Sequence, residues 1–157
     1  SKAGMLTFSR YAITSTLRRS LPIEGGFRKF LDLDRCYSVC RLPVEGGREL
    51  VLYTLHLSAY SADGSISVEQ LKLLLSDKHV RVVLINIFGG ITRCDDVAKG
   101  LLEAFATLKT DMPIVIRLTG TNEKEGRELL KGSQFTVATT MGDAGKKAVE
   151  LAAKVAK

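Results

Sequence analysis

The residues of this 157-residue chain best placed to do chemistry are Gly89, Gly90, Ile91 and Thr92. They follow an apolar run, Val82-Val83-Leu84-Ile85-Asn86-Ile87-Phe88, and lead into Arg93-Cys94-Asp95-Asp96, where a helical pattern begins. A strand that turns through two glycines into a helix aims unpaired backbone N–H groups past the turn. The partial positive charge of the helix start then favours a phosphate or carboxylate without needing a basic side chain. Gly89 and Gly90 are expected to supply positive-φ freedom and close backbone approach. A tight strand-to-helix connection uses the same two glycines and holds no ligand, so both readings stand open at this point.

Other reactive side chains are sparse. His79, between Lys78 and Val80 at a strand entry, reads as a surface residue, and His56 as a residue within a strand. Cys36, Cys40 and Cys94 form an odd set without a C-x-x-C pair, so free thiols are expected rather than a disulfide framework. On one strand, Cys36 and Cys40 would lie about 13 Å apart, too far for a bridge. No metal-ligating cluster is expected. The net charge is +6, but its densest basic stretch, Arg18-Arg19 through Arg28-Lys29, Arg35, Arg41 and Arg48, lacks helical periodicity and regular aromatics. It reads as a solvated β surface, and nucleic acid is not an expected partner.

With 45% hydrophobic and 25% charged residues the chain reads as soluble and globular. The longest apolar run, Val82 to Ile85, cannot cross a bilayer, so no membrane partner is expected. The opening Ser1-Lys2-Ala3-Gly4-Met5-Leu6 lacks the apolar core of a secretory signal, and a cytoplasmic chain is expected.

Two textures meet near residue 65. Before it the sequence is punctuated like a β protein. Gly4 to Thr14 and Thr16 to Pro22 read as extended, and Phe27 to Leu33 as a strand or one helical turn. Cys36 to Leu42 and Arg48 to Leu57 flank Glu45-Gly46-Gly47 as a β-hairpin, the second strand being apolar on both faces and expected to be central. After it, helix and strand alternate: helix 67–77, strand 80–88, helix 94–108, strand 112–118, helix 121–130, strand 135–138 and helix 143–155. Such alternation builds a parallel sheet with helices on its faces and ligands beyond the carboxyl ends of its strands. Gly89-Gly90 and Thr119-Gly120-Thr121-Asn122 fall on that edge. The expected fold is α/β, a mostly parallel sheet with flanking helices, extended by the N-terminal antiparallel hairpin into one mixed sheet. Residues 1–64 and 65–157 are expected to share one core, strand 50–57 joining strand 80–87 through helix 67–77.

The segments Leu84-Ile85-Asn86-Ile87-Phe88-Gly89-Gly90-Ile91-Thr92-Arg93-Cys94-Asp95, with Ala98-Lys99-Gly100, and Pro113-Ile114-Val115-Ile116-Arg117-Leu118-Thr119-Gly120-Thr121-Asn122 resemble the C-terminal, flavodoxin-like domain of the succinate-CoA ligase β subunit. The resemblance runs from about residue 68 to the end. It implies that the helix after Gly90 points its amino end at a phosphohistidine donated by an α-type subunit. It further implies that Gly89, Gly90, Ile91 and Thr92 contact an anionic carboxylate substrate. It places CoA, nucleotide and Mg in regions outside this sequence or in the partner, so this chain alone is expected to bind no cofactor and to be inactive.

Residues 3–62 are similar instead to a fragment of the endonuclease/exonuclease/phosphatase family, through Leu6 to Ile13, Cys36-Tyr37-Ser38-Val39 and Glu45 to Tyr60. That resemblance implies an alternative, a metal-dependent phosphodiesterase using His56. The family's metal-binding Glu, its Gly-Asp-x-Asn segment and its Ser-Asp-His are missing. The chain therefore reads as a recombined or engineered chimera of two incomplete parts, without a selected activity of its own. The sheet edges left by such a truncation favour homo-oligomers formed through strands.

Overall fold

The structure, a computed structural model, describes residues 5–21, 36–56, 71–90 and 93–155. The chain divides into two compact units, Ser1–Leu71 and Lys72–Lys157. Among the described residues no helix is long and apolar enough to cross a membrane.

The first unit holds an antiparallel sheet of β1 (Ser15–Ser20), β2 (Cys36–Val44) and β3 (Arg48–Leu55), in that order. A 3-10 turn over Glu45–Gly47 closes the β2–β3 hairpin, with Gly46 at φ 77° and Gly47 at φ 69°, positions that favour glycine. The hairpin is therefore where the turn residues place it. Tyr37 and Tyr53 stack across it with ring centroids 6.2 Å apart. Phe27 to Leu33 lie outside the described residues, as do residues 67–70 of the helix expected over 67–77, of which residues 71–75 are helical.

Two expectations about this unit need correction. β2, not β3, is the central strand, and the described strands form two three-stranded sheets rather than one mixed sheet. The short turn makes β2 the local partner of β3 at small loop-closure cost, and β2 takes β1 on its other side. The apolar residues that suggested a central β3 are partly solvated: Leu50 is 44% and Leu52 39% exposed.

The second unit holds the parallel sheet, β4 (Val83–Gly89), β5 (Ile114–Gly120) and β6 (Thr136–Ala138), with β5 central. β5 is apolar but for Arg117 over its first five residues because it is covered on both faces, and Ile114, Val115, Ile116 and Leu118 are fully buried. Each such side chain is worth about 1.5–3 kcal/mol on burial. Helix α1 (Cys94–Thr107) links β4 to β5, and α2 (Glu123–Leu129) links β5 to β6. Both crossovers step the same way across the sheet, so the right-handed rule puts both helices on one face. There Leu118 meets Gly126 of α2. The opposite face falls to α3 (Met141–Lys154), where Val115 packs with Ala138, Ala144 and Ala148, flanked by Val82 and Leu151. Alternation along β5 assigns Val115 and Leu118 to opposite faces, as both packings require.

Helix α3 starts at a variant of the capping box in which the returning carboxylate bonds the residue before the N-cap. The Thr140 hydroxyl accepts the Asp143 N–H at 3.1 Å, and the Asp143 carboxylate accepts the Thr139 N–H at 3.1 Å. Phe105 of α1 meets Phe135 edge-on, centroids 5.1 Å apart, and the two rings fasten the amino-terminal end of the sheet.

Candidate functional site

The carboxyl edge of the parallel sheet is where β4 and β5 end side by side, Gly89 paired with Gly120. Two loops leave this edge, and they are bonded to each other. The Thr121 N–H donates to the Gly89 carbonyl at 3.0 Å, the Thr121 hydroxyl to the Gly90 carbonyl at 3.4 Å, and the Cys94 N–H to the Thr121 carbonyl at 2.9 Å. Glycine is required at position 120, where φ is +117° and a Cβ would overlap the Gly89 carbonyl. Asn122 follows in the left-handed region at φ 57°, the one non-glycine residue with positive φ among the described residues. Asparagine tolerates that conformation better than most residues.

These bonds revise the sequence reading of the turn. The left-handed glycine at this edge is Gly120, not Gly89 or Gly90. Gly89 is still a strand residue, held in the ladder by its pairing with Gly120, while the helix opens at Cys94, as the pattern over 94–108 predicts. Ile91 and Thr92 lie outside the described residues. Gly90 is exposed, and a Cβ there would meet nothing within 4 Å, so the turn is open to approach.

The start of α1 already holds an anion. Asp95, a buried charged residue only 7% exposed, takes two bonds from Arg93, Nε to Oδ1 at 3.1 Å and Nη2 to Oδ2 at 2.9 Å. These bonds, opposed by desolvation and aided by the Asn122 side chain and the Asp95 amide, hold the Asp95 carboxyl below the ordinary carboxylate range. Asp96 adds a second acid to the first turn. The Cys94 amide is spent on Thr121, so the helix start is a partly satisfied terminus with its own counter-charges. The Cys94 thiol is fully buried, 3.5 Å from the Thr119 carbonyl, and burial pushes its pKa up. It is an inert core thiol.

The second loop is braced from α2. Glu123 accepts the Gly120 N–H at 3.0 Å and pairs with Arg127 at 3.1 Å, and Arg127 donates to the Leu118 carbonyl at 3.2 Å. The Gly120 amide, then Arg127, hold the Glu123 carboxyl below its usual value. On the α3 side of the edge, Arg117 donates to Asn86 at 2.9 Å and lies over the Phe88 ring at 4.8 Å. Its Nε is buried without a hydrogen-bond partner among the described residues. Phe88 itself is 69% exposed.

The sequence reading placed both loops at this edge but missed Arg93, Asp95, Gly120 and Arg117 as its working parts. Gly120 has a signal in hindsight, because aligning the carboxyl ends of two parallel strands sets Gly89 against it. His56, exposed directly after β3, belongs to the first unit, whereas Gly89 and Gly90 belong to the second. His79 is exposed, as expected, and pairs with Asp77 at 2.9 Å. Among the described residues no three His, Cys, Asp or Glu are grouped to hold a metal ion. A cavity of about 200 Å³ lined by Leu102, Phe105, Ala106, Ser133, Gln134 and Phe135 has no charged side chain and does not fit the phosphates of a nucleotide or CoA.

A model of the CoA-ligase family matches residues 53–154. The chain belongs to the CoA-ligase family. The match begins inside β3, ahead of residue 68, where the recognisable motifs start, and takes in residues that the sequence reading gave to a phosphodiesterase-like fragment. The chain is similar to the β subunit of an ADP-forming succinate–CoA ligase from Bacteroides fragilis, 63% identical over 84 residues, 53% of this chain and 22% of that subunit. It is 52% identical over 82 residues to the corresponding subunit of Herpetosiphon aurantiacus, 52% of this chain and 22% of that one. It is also 50% identical over 99 residues to the subunit beta 2 of Archaeoglobus fulgidus, 60% of this chain and 26% of the relative. This CoA-ligase chain thus spans about a quarter or less of the relatives it matches.

Proposed function

We propose that residues from β4 onward act as the carboxylate- and phosphate-facing part of a succinate–CoA ligase β-type subunit, with Gly89, Gly90, Ile91 and Thr92 as the ligand contacts. The observation that carries this reading is the exposed Gly90 turn at the carboxyl edge of a parallel sheet, ahead of the amino end of α1. Backbone amides at such a position favour oxyanions. The 63% identity to a β subunit named for succinate supports the choice of a small carboxylate.

In this reading the chain supplies a binding surface and not a complete active site. Its partner is an α-type ligase subunit, which brings the phosphorylated histidine, while nucleotide, Mg and CoA are held by that partner or by other parts of the enzyme. The chain's own residues orient the anion: Gly90 offers a backbone amide, and the Arg93–Asp95 pair fixes the first turn of α1 beside it. No step of turnover is assigned to these residues alone.

Two measurements test the proposal. Titration with succinate or inorganic phosphate is expected to shift the amide resonances of Gly89 to Arg93 and leave those of β1–β3 in place. The chain mixed with a succinate–CoA ligase α subunit is expected to bind it, and to form no succinyl-CoA without the nucleotide-binding part of a β subunit. Unmoved Gly90 and Arg93 amides at saturating succinate and phosphate would sink it.

A further inference from the structure

Thr121 makes contact with three successive features of the first loop. Its N–H takes the Gly89 carbonyl, its hydroxyl takes the Gly90 carbonyl, and its own carbonyl takes the Cys94 amide. The geometry points to Thr121 as a positioning residue that turns the carbonyls of Gly89 and Gly90 inward, so that the turn shows donors rather than acceptors to an incoming ligand.

In a trans peptide the C=O and the following N–H point in opposite directions. All described peptide bonds are trans, so a Gly89 carbonyl held against Thr121 leaves the Gly90 amide aimed away from the second loop. With both glycine carbonyls engaged, what Gly89 and Gly90 show to a ligand is the Gly90 amide, which suits a carboxylate or phosphate rather than a cation. Thr121 is exposed, so its side chain is not needed to fill a core. Its backbone is fixed from both sides, by Gly120, whose amide Glu123 accepts, and by Asn122, held in the left-handed region. The Asn122 side chain also reaches Asp95, tying the second loop to the first turn of α1. The selectivity rests on the anion-binding reading of the turn; the positioning does not.

The test uses Thr121→Val, which keeps the shape and both backbone bonds but loses the hydroxyl, and Thr121→Ser, which restores it. In the ligand-free protein the carbonyl carbon resonance of Gly90 is expected to move in Thr121→Val and to return in Thr121→Ser. With succinate or inorganic phosphate as probe, Thr121→Val is expected to bind about three- to tenfold more weakly than the parent chain, the loss of one hydrogen bond, and Thr121→Ser within about twofold of it. A Gly90 carbonyl resonance unchanged in Thr121→Val overturns the positioning role whether or not any anion binds. Equal binding by the parent chain and Thr121→Val overturns the selectivity role. No binding by the parent chain overturns the anion reading and the selectivity with it, and leaves the positioning to the carbonyl resonance. Urea denaturation of each variant shows whether it is folded, and if Thr121→Val does not fold, Thr121→Ala, which also lacks the hydroxyl, is read in its place by the same resonances.

Discussion

Gly120 stands against Gly89 so closely that any side chain on Gly120 would overlap the Gly89 carbonyl, and its φ of +117° excludes other residues independently. The end of the ladder therefore requires glycine at position 120, and the loops that carry the candidate site depend on that approach. Gly120→Ala is expected to cost about 2–4 kcal/mol, because strain and collision with backbone cannot be relieved by a rotamer change. Urea denaturation would measure it, and a loss below about 0.5 kcal/mol, the usual size of a neutral surface change, would show that the loops can part without consequence.

Helix α2 crosses the start of α1 at Gly126, where a Cβ would lie 2.8 Å from the Cys94 carbonyl oxygen and 3.0 Å from Leu118 Cδ1. Gly126→Ala is expected to destabilise by about 1–3 kcal/mol through overpacking. Gly100, inside α1, faces open space, so Gly100→Ala should stabilise by up to about 1 kcal/mol through helix propensity alone. The opposite signs of two identical substitutions, read from thermal midpoints, test the packing rather than the composition.

Thr140 caps α3 through its side chain, whose hydroxyl accepts the Asp143 N–H at 3.1 Å. Thr140→Ala is expected to lower stability by about 1 kcal/mol, and Thr140→Ser to restore most of it. Hydrogen exchange should localise the change to the first turn of α3. Protection lost instead across α1 would mean that the cap acts through something other than its own helix.

The alternation of helix and strand after residue 80 was legible because each element carries its own period. Val97, Leu101, Leu102, Phe105 and Leu108 mark one stripe of α1, and Ile114, Val115, Ile116 and Leu118, apolar at odd and even positions alike, mark a strand buried on both faces. The hairpin was equally legible from Glu45-Gly46-Gly47. What local pattern could not supply was pairing between distant strands. Apolar alternation on both faces of β3 does not distinguish a central strand from an edge strand with solvated leucines such as Leu50 and Leu52. The site followed the same rule. Its place at the sheet edge was readable, whereas the roles of Gly120, Arg93 and Asp95 arise from contacts across the ladder and from the buried carboxylate that fills the start of α1.

Carboxylates set the pH response of the second unit. Asp143 bonds to Lys147 Nζ at 2.9 Å and to the Thr139 amide, and these partners, Lys147 first, hold its pKa below the ordinary value. Asp95 and Glu123 are lowered in the same sense by Arg93 and by the Gly120 amide. A carboxyl whose folded-state pKa is depressed binds fewer protons folded than unfolded, so its contribution is present above the unfolded value of about 4 and lost as pH falls through the folded one. The urea midpoint should therefore be level near neutrality and fall progressively below about pH 5. Asp143→Asn should be less stable than the parent near neutrality, because the Lys147 bond loses its charge partner, and should lose less on acidification. The gap between the two curves should narrow toward about pH 3, where the parent carboxyl is itself protonated in the unfolded chain and increasingly in the folded one. A gap that widens with acid would place the pH sensitivity elsewhere in the unit.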